Sequence, residues 1–401
     1  MADMNGLHVV IVPAWWPSPE QPISGIFFLD YARAFAAAGA KVGVIFPNLV
    51  SVRHVGTAPR VPLWPRLIFD ALDGLPVIRI RGLHTAFGCP ALQMRRYRAW
   101  LRRGLAVYRS RHGEPDILHA MCAIPAGWAC THLDHPLARR TVVTEHTGPF
   151  SLVLSRRAGE SYVRAALAKA AAVVAVSEPL RQNMLAARID RDIPVIGNPV
   201  GRQFAPAPPS PVGADDRGRR RYRALFVGRL TALKGVPELI DAAIALSHEA
   251  ASAIDWHVAG YGPLEDEMRR RFAEAGLADG LTLHGFCDKP TVAKLLGESH
   301  LLVLPSHGEN CPLAICEALS VGRPVVTTDT PGCQALVGEG DGVLARVGDA
   351  GSLAEAIRRT VTGYSTWDCQ AIARRAASRF SAEAIVSRYA DIFRAIHARR
   401  A

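Results

Sequence analysis

Two glutamates eight positions apart, Glu309 and Glu317, are the residues of this sequence best suited to hold a ligand. An apolar run at residues 301–304 predicts a buried strand, and residues 306–312 predict a turn that leads into a helix. Glu309 then lies in the loop, and Glu317 lies about two turns further on, inside the helix. Free N–H groups at a helix start favour an anionic ligand, so two nearby carboxylates are suited to accept hydrogen bonds from hydroxyl groups beside a phosphate.

Two cations five positions apart, Arg229 and Lys234, follow another predicted strand at residues 224–227. Arginine offers phosphate oxygens a planar donor fork and lysine offers a compact charge, so the pair suits a phosphate-bearing ligand. Only five of the 47 basic residues are lysines, which makes a lysine in this strand-to-helix loop informative. Alone, the motif also fits two solvated surface cations; together with the glutamate pair it favours a phosphate site.

Two glycine-containing turns, at residues 259–264 and 285–288, end further predicted strands of the second half. Open α/β sheets bind ligands at the carboxyl ends of their strands, so four loops are expected to line one crevice. The sequence has no GxGxxG after its first strand, no GxxxxGK[ST] and no HExxH. Hydride transfer and P-loop hydrolysis therefore lose support.

Two residues of the first half are further candidates for ligand contact, namely His146 and Gly25. His146 follows a predicted strand at residues 141–144, where an imidazole suits proton handling or sugar-hydroxyl recognition, although a lone histidine is often structural or exposed. Gly25 precedes a predicted helix at residues 26–38. Without a side chain there, backbone N–H groups could approach a phosphate; a plain turn glycine is the alternative.

Alternating strands and helices are expected to position these residues, which predicts a parallel, doubly wound sheet in each half. The predicted strands cover residues 8–12, 41–46, 77–81, 117–119, 141–144, 173–176, 224–227, 255–259, 282–284, 301–304 and 324–327. A proline-rich stretch interrupts the pattern and predicts an interdomain linker. The expected division is a first domain, a linker, a second domain and a final helix, at residues 1–198, 199–223, 224–380 and 381–401.

The formal net charge of +11 is concentrated in the first half of the chain. Residues 1–200 carry 23 Lys and Arg against 13 Asp and Glu, whereas the remainder carries 24 against 23. Within residues 91–111, arginines flank an apolar stripe at helical spacing that favours burial in a core. The arginines could contact an anionic bilayer surface or remain solvated. Nucleic acid is disfavoured, because no recognition motif accompanies the charge.

Cysteine usage and hydropathy bear on the cellular compartment. The eight cysteines are scattered without a CxxC pair, which predicts reduced thiols rather than disulfides or a zinc site. No apolar run reaches the roughly 18 residues of a membrane-spanning helix, and the amino end lacks the pattern of a signal peptide. We expect a cytoplasmic protein, with peripheral contact at the inner face of the cell membrane if the arginines bind lipid.

Together these motifs resemble the retaining, nucleotide-sugar-dependent glycosyltransferases of family 4, which have the GT-B fold. The resemblance covers essentially the whole chain, and the opening residues look like bacterial enzymes of cell-surface polysaccharide assembly. It implies two Rossmann-like doubly wound domains facing across a cleft, with a C-terminal helix that crosses back to the first domain. The first domain would take the acceptor and the second the nucleotide sugar. The most specific motifs are Gly228-Arg229 to Lys234-Gly235 and the E-x7-E pair Glu309/Glu317.

The resemblance also implies a role for each candidate residue of the second half. Arg229 and Lys234 would bind the donor diphosphate and stabilise its charge as the glycosidic bond breaks. Glu317 would accept hydrogen bonds from the ribose, and Glu309 would lie near the donor sugar hydroxyls. The nucleobase edge would be met near Cys287. Backbone N–H groups of about Asn310 to Leu313 would contact sugar and phosphate. Within this stretch Asn310, Cys311 and Pro312 stand where Gly-Phe-Gly is commoner, so only the backbone role is carried over.

In the first half, the resemblance places Gly25 against the diphosphate and His146 near the donor sugar and the acceptor. Transfer would retain the anomeric configuration, with the leaving diphosphate itself taking the acceptor proton. No cofactor and no metal are implied, because the protein's own cations neutralise the charge. The donor would be a UDP- or GDP-sugar, and the acceptor a glycan or a lipid-linked molecule. A sugar-nucleotide epimerase of the same fold and a non-catalytic nucleotide-sugar-binding protein remain alternatives.

Overall fold

The computed structural model describes residues 3–17, 24–51, 61–62, 64–84, 89–155, 159–208, 210–216, 218–248 and 252–399. The chain divides into two compact units. The first comprises Met1–Pro199 with Ala382–Ala401, and the second comprises Val200–Ser381. Each unit is built on a predominantly parallel sheet whose strands alternate with helices along the chain, which confirms the predicted fold class of two doubly wound α/β domains.

The described residues of the first unit form a seven-stranded sheet in the order β3-β4-β2-β1-β5-β6-β7. Its strands are β1 (His8–Pro13), β2 (Lys41–Ser51), β3 (Arg66–Leu72), β4 (Leu75–His84), β5 (Ile117–Met121), β6 (Thr141–Glu145) and β7 (Ala172–Ala175). The chain leaves β1 in one direction towards β2 and returns on its other side at β5. This reversal of strand order is where open α/β sheets leave a crevice for ligands.

One strand of this sheet departs from the predicted parallel pattern. Strand β3 runs antiparallel to β4, and the two form a hairpin at the edge of the sheet. Asp73 and Gly74 join them with φ of 53° and 76°, the left-handed pair that a tight hairpin turn requires. The Asp-Gly dipeptide was the available sequence signal for this hairpin, and reading the chain only as alternating strands and helices missed it.

The helices of the first unit before residue 200 connect these strands. They are α1 (Ile26–Ala37), α2 (Pro90–His112), α3 (Trp128–Thr131), α4 (Phe150–Ser155), α5 (Gly159–Lys169) and α6 (Glu178–Ala186). Helix α2 places Tyr97, Leu101, Leu105 and Tyr108 in the core, so the apolar stripe packs inside the unit as its spacing predicted. Its arginines line the remaining surface of the helix.

The second unit has a seven-stranded sheet with β11-β10-β9-β12-β13-β14 in order and β8 paired antiparallel to β9. Its strands are β8 (Gly213–Ala214), β9 (Arg220–Val227), β10 (Ser252–Ala259), β11 (Leu281–Gly285), β12 (Leu301–Leu304), β13 (Val325–Thr328) and β14 (Gly342–Ala345). Strand β9 lies between β10 and β12, so the strand order reverses here as it does at β1. The loops after β9 and β12 therefore flank a switch point.

The helices of the second unit are α7 (Val236–Ser247), α8 (Glu265–Glu274), α9 (Lys289–Glu298), α10 (Leu313–Val321), α11 (Pro331–Gln334), α12 (Ala350–Thr362) and α13 (Cys369–Phe380). Aspartates at the start of α9, α12 and α13 accept backbone N–H bonds and so fix where these helices begin. Across both units, no helix of the described residues is long and apolar enough to cross a bilayer.

Residues of the stretch predicted as a linker pack against the second unit. Val200 and Phe204 lie in its core, and β9 begins at Arg220 rather than after residue 223. The fully buried guanidinium of Arg323 donates to the carbonyl of Pro208 at 2.6 Å. Prolines contribute no backbone N–H donors in this stretch, and the buried arginine satisfies one of its carbonyls.

The final helix, α14 (Ala382–Ala398), packs in the core of the first unit. The Tyr389 and Thr144 hydroxyls lie 2.8 Å apart, and His119 Nε2 lies 2.7 Å from the Thr144 oxygen. This buried chain of hydrogen bonds joins the helix to strands β5 and β6. Because His119 is fully buried, its pKa is lowered from 6.5 to about 3.

The neutral state of His119 predicts how stability depends on pH. Folding lowers this pKa, so its contribution is complete above pH 6.5 and is lost as pH falls from 6.5 towards 3. At pH 5 this one group should lower the free energy of unfolding by about 2 kcal/mol. Urea unfolding at pH 7 and pH 5 measures this effect. The free energy of unfolding should fall less between the two pH values in His119→Gln than in the parent. The control His248→Gln, at an exposed position, should keep the parent's full difference in the free energy of unfolding between the two pH values. Equal differences in the parent and both variants would contradict the assignment.

Candidate functional site

The motifs carrying Arg229, Lys234 and Glu309 meet at the carboxyl edge of the second sheet. Strand β9 leads into the first motif and β12 into the second, and these strands are parallel neighbours. The backbone N–H of His307 donates to the carbonyl of Leu233 at 2.9 Å, which joins the two loops directly. The structure therefore brings together residues that lie 75 positions apart.

Lys234 and Glu309 form an ion pair between these loops. The Ser306 hydroxyl donates to the same carboxylate oxygen, Oε1, at 2.8 Å, so the glutamate is held from two sides. The Glu309 side chain is 12% exposed and that of Lys234 is 28% exposed. Both side chains thus remain accessible to a ligand. Because they are also partly shielded from water, their electrostatic interaction with a charged ligand is stronger than in bulk solvent.

Arg229 has a different environment from Lys234. Its side chain is exposed, and no ion pair joins its guanidinium to a carboxylate within the described part of the chain. A guanidinium without a carboxylate partner can bind two oxygens of a phosphate in a bidentate way without first breaking a salt bridge. At this site the charge of Lys234 is therefore neutralised by Glu309, whereas no carboxylate of the described residues neutralises Arg229.

Glycines allow the loops to approach this closely. Gly235, at the start of α7, has a φ of 68°, and a Cβ on it would lie 1.9 Å from the carbonyl oxygen of Pro305. Any other residue would push the loop that carries Lys234 away from the loop that carries Glu309. The glycine next to Lys234 is therefore needed for the ion pair itself.

Glu317 lies on α10 and is buried, with an exposed fraction of 5%. Its carboxylate pairs with Lys289, whose Nζ is 2.9 Å from Oε1. Lys289 is the first residue of α9, directly after the capping Asp288. Sequence reasoning missed this partner. Its signal was the same as for Lys234: one of only five lysines, in a strand-to-helix loop of the second half.

The start of α10 lies between Glu309 and Glu317. The helix is preceded by Pro312, and no described side chain caps it, so Leu313 begins the helix without a side-chain acceptor for its first N–H groups. Asn310 and Cys311 complete the loop before the helix and are partly exposed. The structure therefore confirms the predicted helix start and shows that no described side chain caps it.

Cys287 also lies at this edge of the sheet, in the loop between β11 and α9. It is half-buried, and its thiol is 3.7 Å from the carbonyl oxygen of Gly285. Burial raises the pKa of this thiol, so it is neutral at physiological pH. Lys289, the first residue of α9, follows two residues later, which places Cys287 on the Glu317 side of the site.

His146 follows β6 in the first unit, and aromatic rings surround its imidazole. The centroids of Phe27, Phe28 and Tyr31 lie 5.2, 5.0 and 5.8 Å from its own. Burial, with a smaller effect of His119, lowers the pKa of His146 to about 3. The imidazole is therefore neutral near pH 7, which suits a hydrogen bond to a hydroxyl better than the proton handling that an unperturbed histidine would offer.

Gly25 lies at the start of α1, two residues before the rings that contact His146. Its φ is 70°, and a Cβ would lie 2.5 Å from the carbonyl oxygen of Trp15. Both conformation and space therefore require glycine at this position. The structure brings Gly25 and His146 to one region of the first unit, whereas the other candidate residues belong to the second unit.

The described residues include no cluster of three or more His, Cys, Asp or Glu side chains that could hold a metal ion. The candidate charged groups at the carboxyl edge of the second sheet are two lysine–carboxylate pairs and Arg229. Such an arrangement can bind an anion through Arg229 and Lys234 and hydroxyl groups through Glu309 and Glu317.

Comparison with protein families gives matches over both units. The family model described as Glycosyltransferase Family 4 matches residues 24–204. The model described as Glycosyl transferases group 1 matches residues 221–362. A protein of Bacillus subtilis (strain 168), described as a candidate teichuronic acid biosynthesis glycosyltransferase, is 25% identical over 366 residues, which cover 88% of this chain and 89% of that protein.

Solved structures of the same fold were also found. Sucrose-phosphate synthase from Thermosynechococcus elongatus matches with a TM-score of 0.70 and 20% identity, over 98% of this chain and 100% of that one. HepE from Anabaena, in complex with UDP and glucose, matches with a TM-score of 0.64 and 17% identity, over 97% of this chain and 100% of that one. At these identities the likeness is one of fold.

Proposed function

Since the chain belongs to the family-4 glycosyltransferases, we propose that it moves a sugar from a nucleotide-diphosphate donor to a glycan or lipid-linked acceptor with retention of configuration. The observation that carries this proposal is the Lys234–Glu309 ion pair at the switch point of the second sheet, with the exposed Arg229 in the same loop as Lys234. Cell-surface polysaccharide synthesis is the proposed setting, and the Bacillus relative is described as acting in teichuronic acid biosynthesis.

In this proposal the cations bind the donor diphosphate. Arg229 offers its fork to the phosphate oxygens without giving up a carboxylate partner within the described chain. Lys234 is shared between Glu309 and the ligand, so the carboxylate keeps the ammonium group in place before the donor arrives. As the glycosidic bond breaks, negative charge grows on the diphosphate, and both cations stabilise it where water is partly excluded. We propose that these charges make the transfer metal-independent.

The carboxylates and the helix start hold the rest of the donor. Glu309 accepts hydrogen bonds from the sugar hydroxyls, and Glu317 accepts them from the ribose. The uncapped N–H groups of α10 meet sugar and phosphate oxygens, a role that Asn310 to Leu313 fill through the backbone. Cys287 lies near the nucleobase edge. UDP- and GDP-sugars are the proposed donors; HepE, of the same fold, was solved with UDP.

The first unit supplies Gly25 to the diphosphate and His146 to the sugar and acceptor. Since the pKa of His146 is lowered to about 3, we assign it hydrogen bonding rather than general-base catalysis. The acceptor proton then passes to the leaving diphosphate on the same face of the sugar, so the bond to the acceptor oxygen forms as the bond to the diphosphate breaks. No protein nucleophile takes part.

The proposal is tested by incubating the chain with UDP- and GDP-sugars, with and without glycan and lipid-linked glycan acceptors. Product formation that requires the acceptor, with the donor's anomeric configuration kept in the proton NMR coupling constant, is the expected result. Isomerisation of the donor without an acceptor would instead identify an epimerase. Tight nucleotide binding without turnover by any pair would identify a binding protein, and an inverted product would overturn the mechanism.

We further propose that α2 contacts the inner surface of the cell membrane. Helix α2 contains seven arginines and no acidic residue. Trp64 is 82% exposed. The next residue, Pro65, accepts a hydrogen bond at 3.5 Å from Arg103 of α2, which places this segment beside the helix. Arginines next to an exposed tryptophan suit an anionic lipid surface, where charge and ring both find partners.

Replacing Arg95 and Arg102 together by glutamate should lower partitioning onto phosphatidylglycerol vesicles at least about 30-fold, because each surface arginine contributes about 1 kcal/mol. Both side chains are exposed and in no ion pair with a described residue, so the fold should be kept. Vesicle sedimentation measures the effect, with Arg270→Glu on the exposed face of α8 as the control. Equal partitioning of all three proteins would remove the membrane assignment.

A further inference from the structure

A cavity of about 750 Å³ lies in the first unit, at the opposite edge of the sheet from His146. Because β5, β6 and β7 are parallel, their amino ends share one edge, and the segments that enter these strands line the cavity. The end of α14 completes it. The lining residues are Arg109, Glu114, His135, Pro136, Arg139, Arg140, Ala171, Ile396 and Arg399.

Positive charge dominates this cavity: four guanidinium groups face one carboxylate. Glu114 pairs with Arg109 and so offsets one of the four. Arg139 and Arg399 are exposed, and neither pairs with a carboxylate of the described chain. Guanidinium groups that line one cavity repel each other, and a bound anion would relieve that repulsion.

Helix dipoles explain only part of this charge. Arg109 lies in the last turn of α2, and Arg399 directly follows α14, where cations stabilise the negative end of a helix. Arg139 and Arg140 instead end the short turn Pro136–Arg140, which leads into β6. A single turn has little macrodipole to stabilise, so a helix dipole does not explain the exposed Arg139.

We propose that this cavity binds a phosphate-bearing anion with at least two negative charges, such as a diphosphate or a phosphate monoester. The arginine forks match phosphate oxygens, and the volume lies within the range of small-ligand sites. Pro136, Ala171 and Ile396 give the cavity an apolar part, which suits an ester carrying a small organic group. The site is separate from the proposed donor site, which lies at the carboxyl edges of the sheets.

Titration with inorganic pyrophosphate tests the proposal by calorimetry. The experiment uses the Arg229→Ala/Lys234→Ala background, so that the proposed diphosphate site of the second unit does not contribute. Saturable binding is expected, and Arg139→Ala with Arg399→Ala should weaken it at least about tenfold, since each loses a charge-assisted hydrogen bond. Both residues are exposed, so the variants should fold. Arg269→Ala with Arg270→Ala, two exposed positions on α8 outside every proposed site, is the matched control.

His135 gives a second, site-specific measurement. Its pKa is lowered by burial and by Arg109 and Arg140, against the opposing effect of Glu114. An anion on these arginines should raise the pKa of His135, which NMR titration of the ring follows. Absence of saturable binding, or equal weakening by the control, would overturn the proposal. A second measurement with phosphatidic acid vesicles identifies the source of the phosphate. Vesicle binding that Arg139→Ala with Arg399→Ala weakens would indicate a lipid headgroup, and binding of pyrophosphate alone would indicate a free phosphate.

Discussion

Replacing Lys234 by alanine is expected to lower kcat for sugar transfer about 100- to 1,000-fold, the loss typical when one preorganised charge is removed from a developing anion. The ammonium group sits against Glu309, where it is 28% exposed and partly shielded from water. In the proposed reaction it meets the charge that grows on the leaving diphosphate. The effect should therefore appear in kcat more than in donor affinity, because the charge it stabilises is larger in the transition state than in the bound donor.

The fold should survive this change. The ion pair with Glu309 is partly exposed, and losing it should lower the free energy of unfolding by about 1 kcal/mol or less. Lys294→Ala, on the exposed face of α9, is the matched control and should transfer at the parent rate. Adding Glu309→Gln to Lys234→Ala tests whether an unpaired carboxylate, rather than a missing cation, causes the loss. Near-parent turnover in Lys234→Ala would refute the diphosphate role.

Replacing Glu317 by glutamine is expected to weaken binding of the nucleoside diphosphate about 10- to 100-fold, because charge-assisted hydrogen bonds to the ribose are lost. The carboxylate is buried and paired with Lys289 at 2.9 Å. Removing one member of a buried pair leaves the other uncompensated, so the variant should also lose about 3 kcal/mol of stability. Calorimetry measures the affinity and thermal unfolding the stability.

The matched control is Lys289→Met, which breaks the same ion pair and keeps the carboxylate. It should lose a similar amount of stability, about 3 kcal/mol, yet bind the nucleotide within about threefold of the parent, since the group proposed to contact ribose remains. The comparison separates a binding role of Glu317 from a structural one. Equal losses of affinity in both variants would withdraw the ribose assignment.

Much of the fold was readable because its signals are local. Apolar runs that end in a turn and are followed by helical periodicity predicted β9, β12 and the helices after them, and the structure has these elements near the predicted positions. The prediction failed where the signal was a single dipeptide. Asp73-Gly74 turns the chain into the β3–β4 hairpin, and nothing in the alternation of strands and helices required a hairpin there.

The sequence by itself determined the candidate groups of the site, since their chemistry and their places after strands are properties of short segments. Arg229, Lys234, Glu309 and Glu317 were identified in this way. Only the tertiary structure decided their pairing: Lys234 with Glu309 across 75 positions and Glu317 with Lys289 across 28. These contacts depend on which strands are neighbours in the sheet, and strand order is not encoded in any one segment.

Burial is the other quantity that only the tertiary structure supplied. The sequence presented His146 as an ordinary imidazole in a loop, able to titrate near neutral pH. Rings from α1 surround it in the fold, and desolvation lowers its pKa to about 3. Only the tertiary structure likewise brings together the four arginines of the cavity in the first unit. They come from α2, the turn before β6 and the residue after α14. Electrostatic environment is set by neighbours in space, so it appears only once the chain has folded.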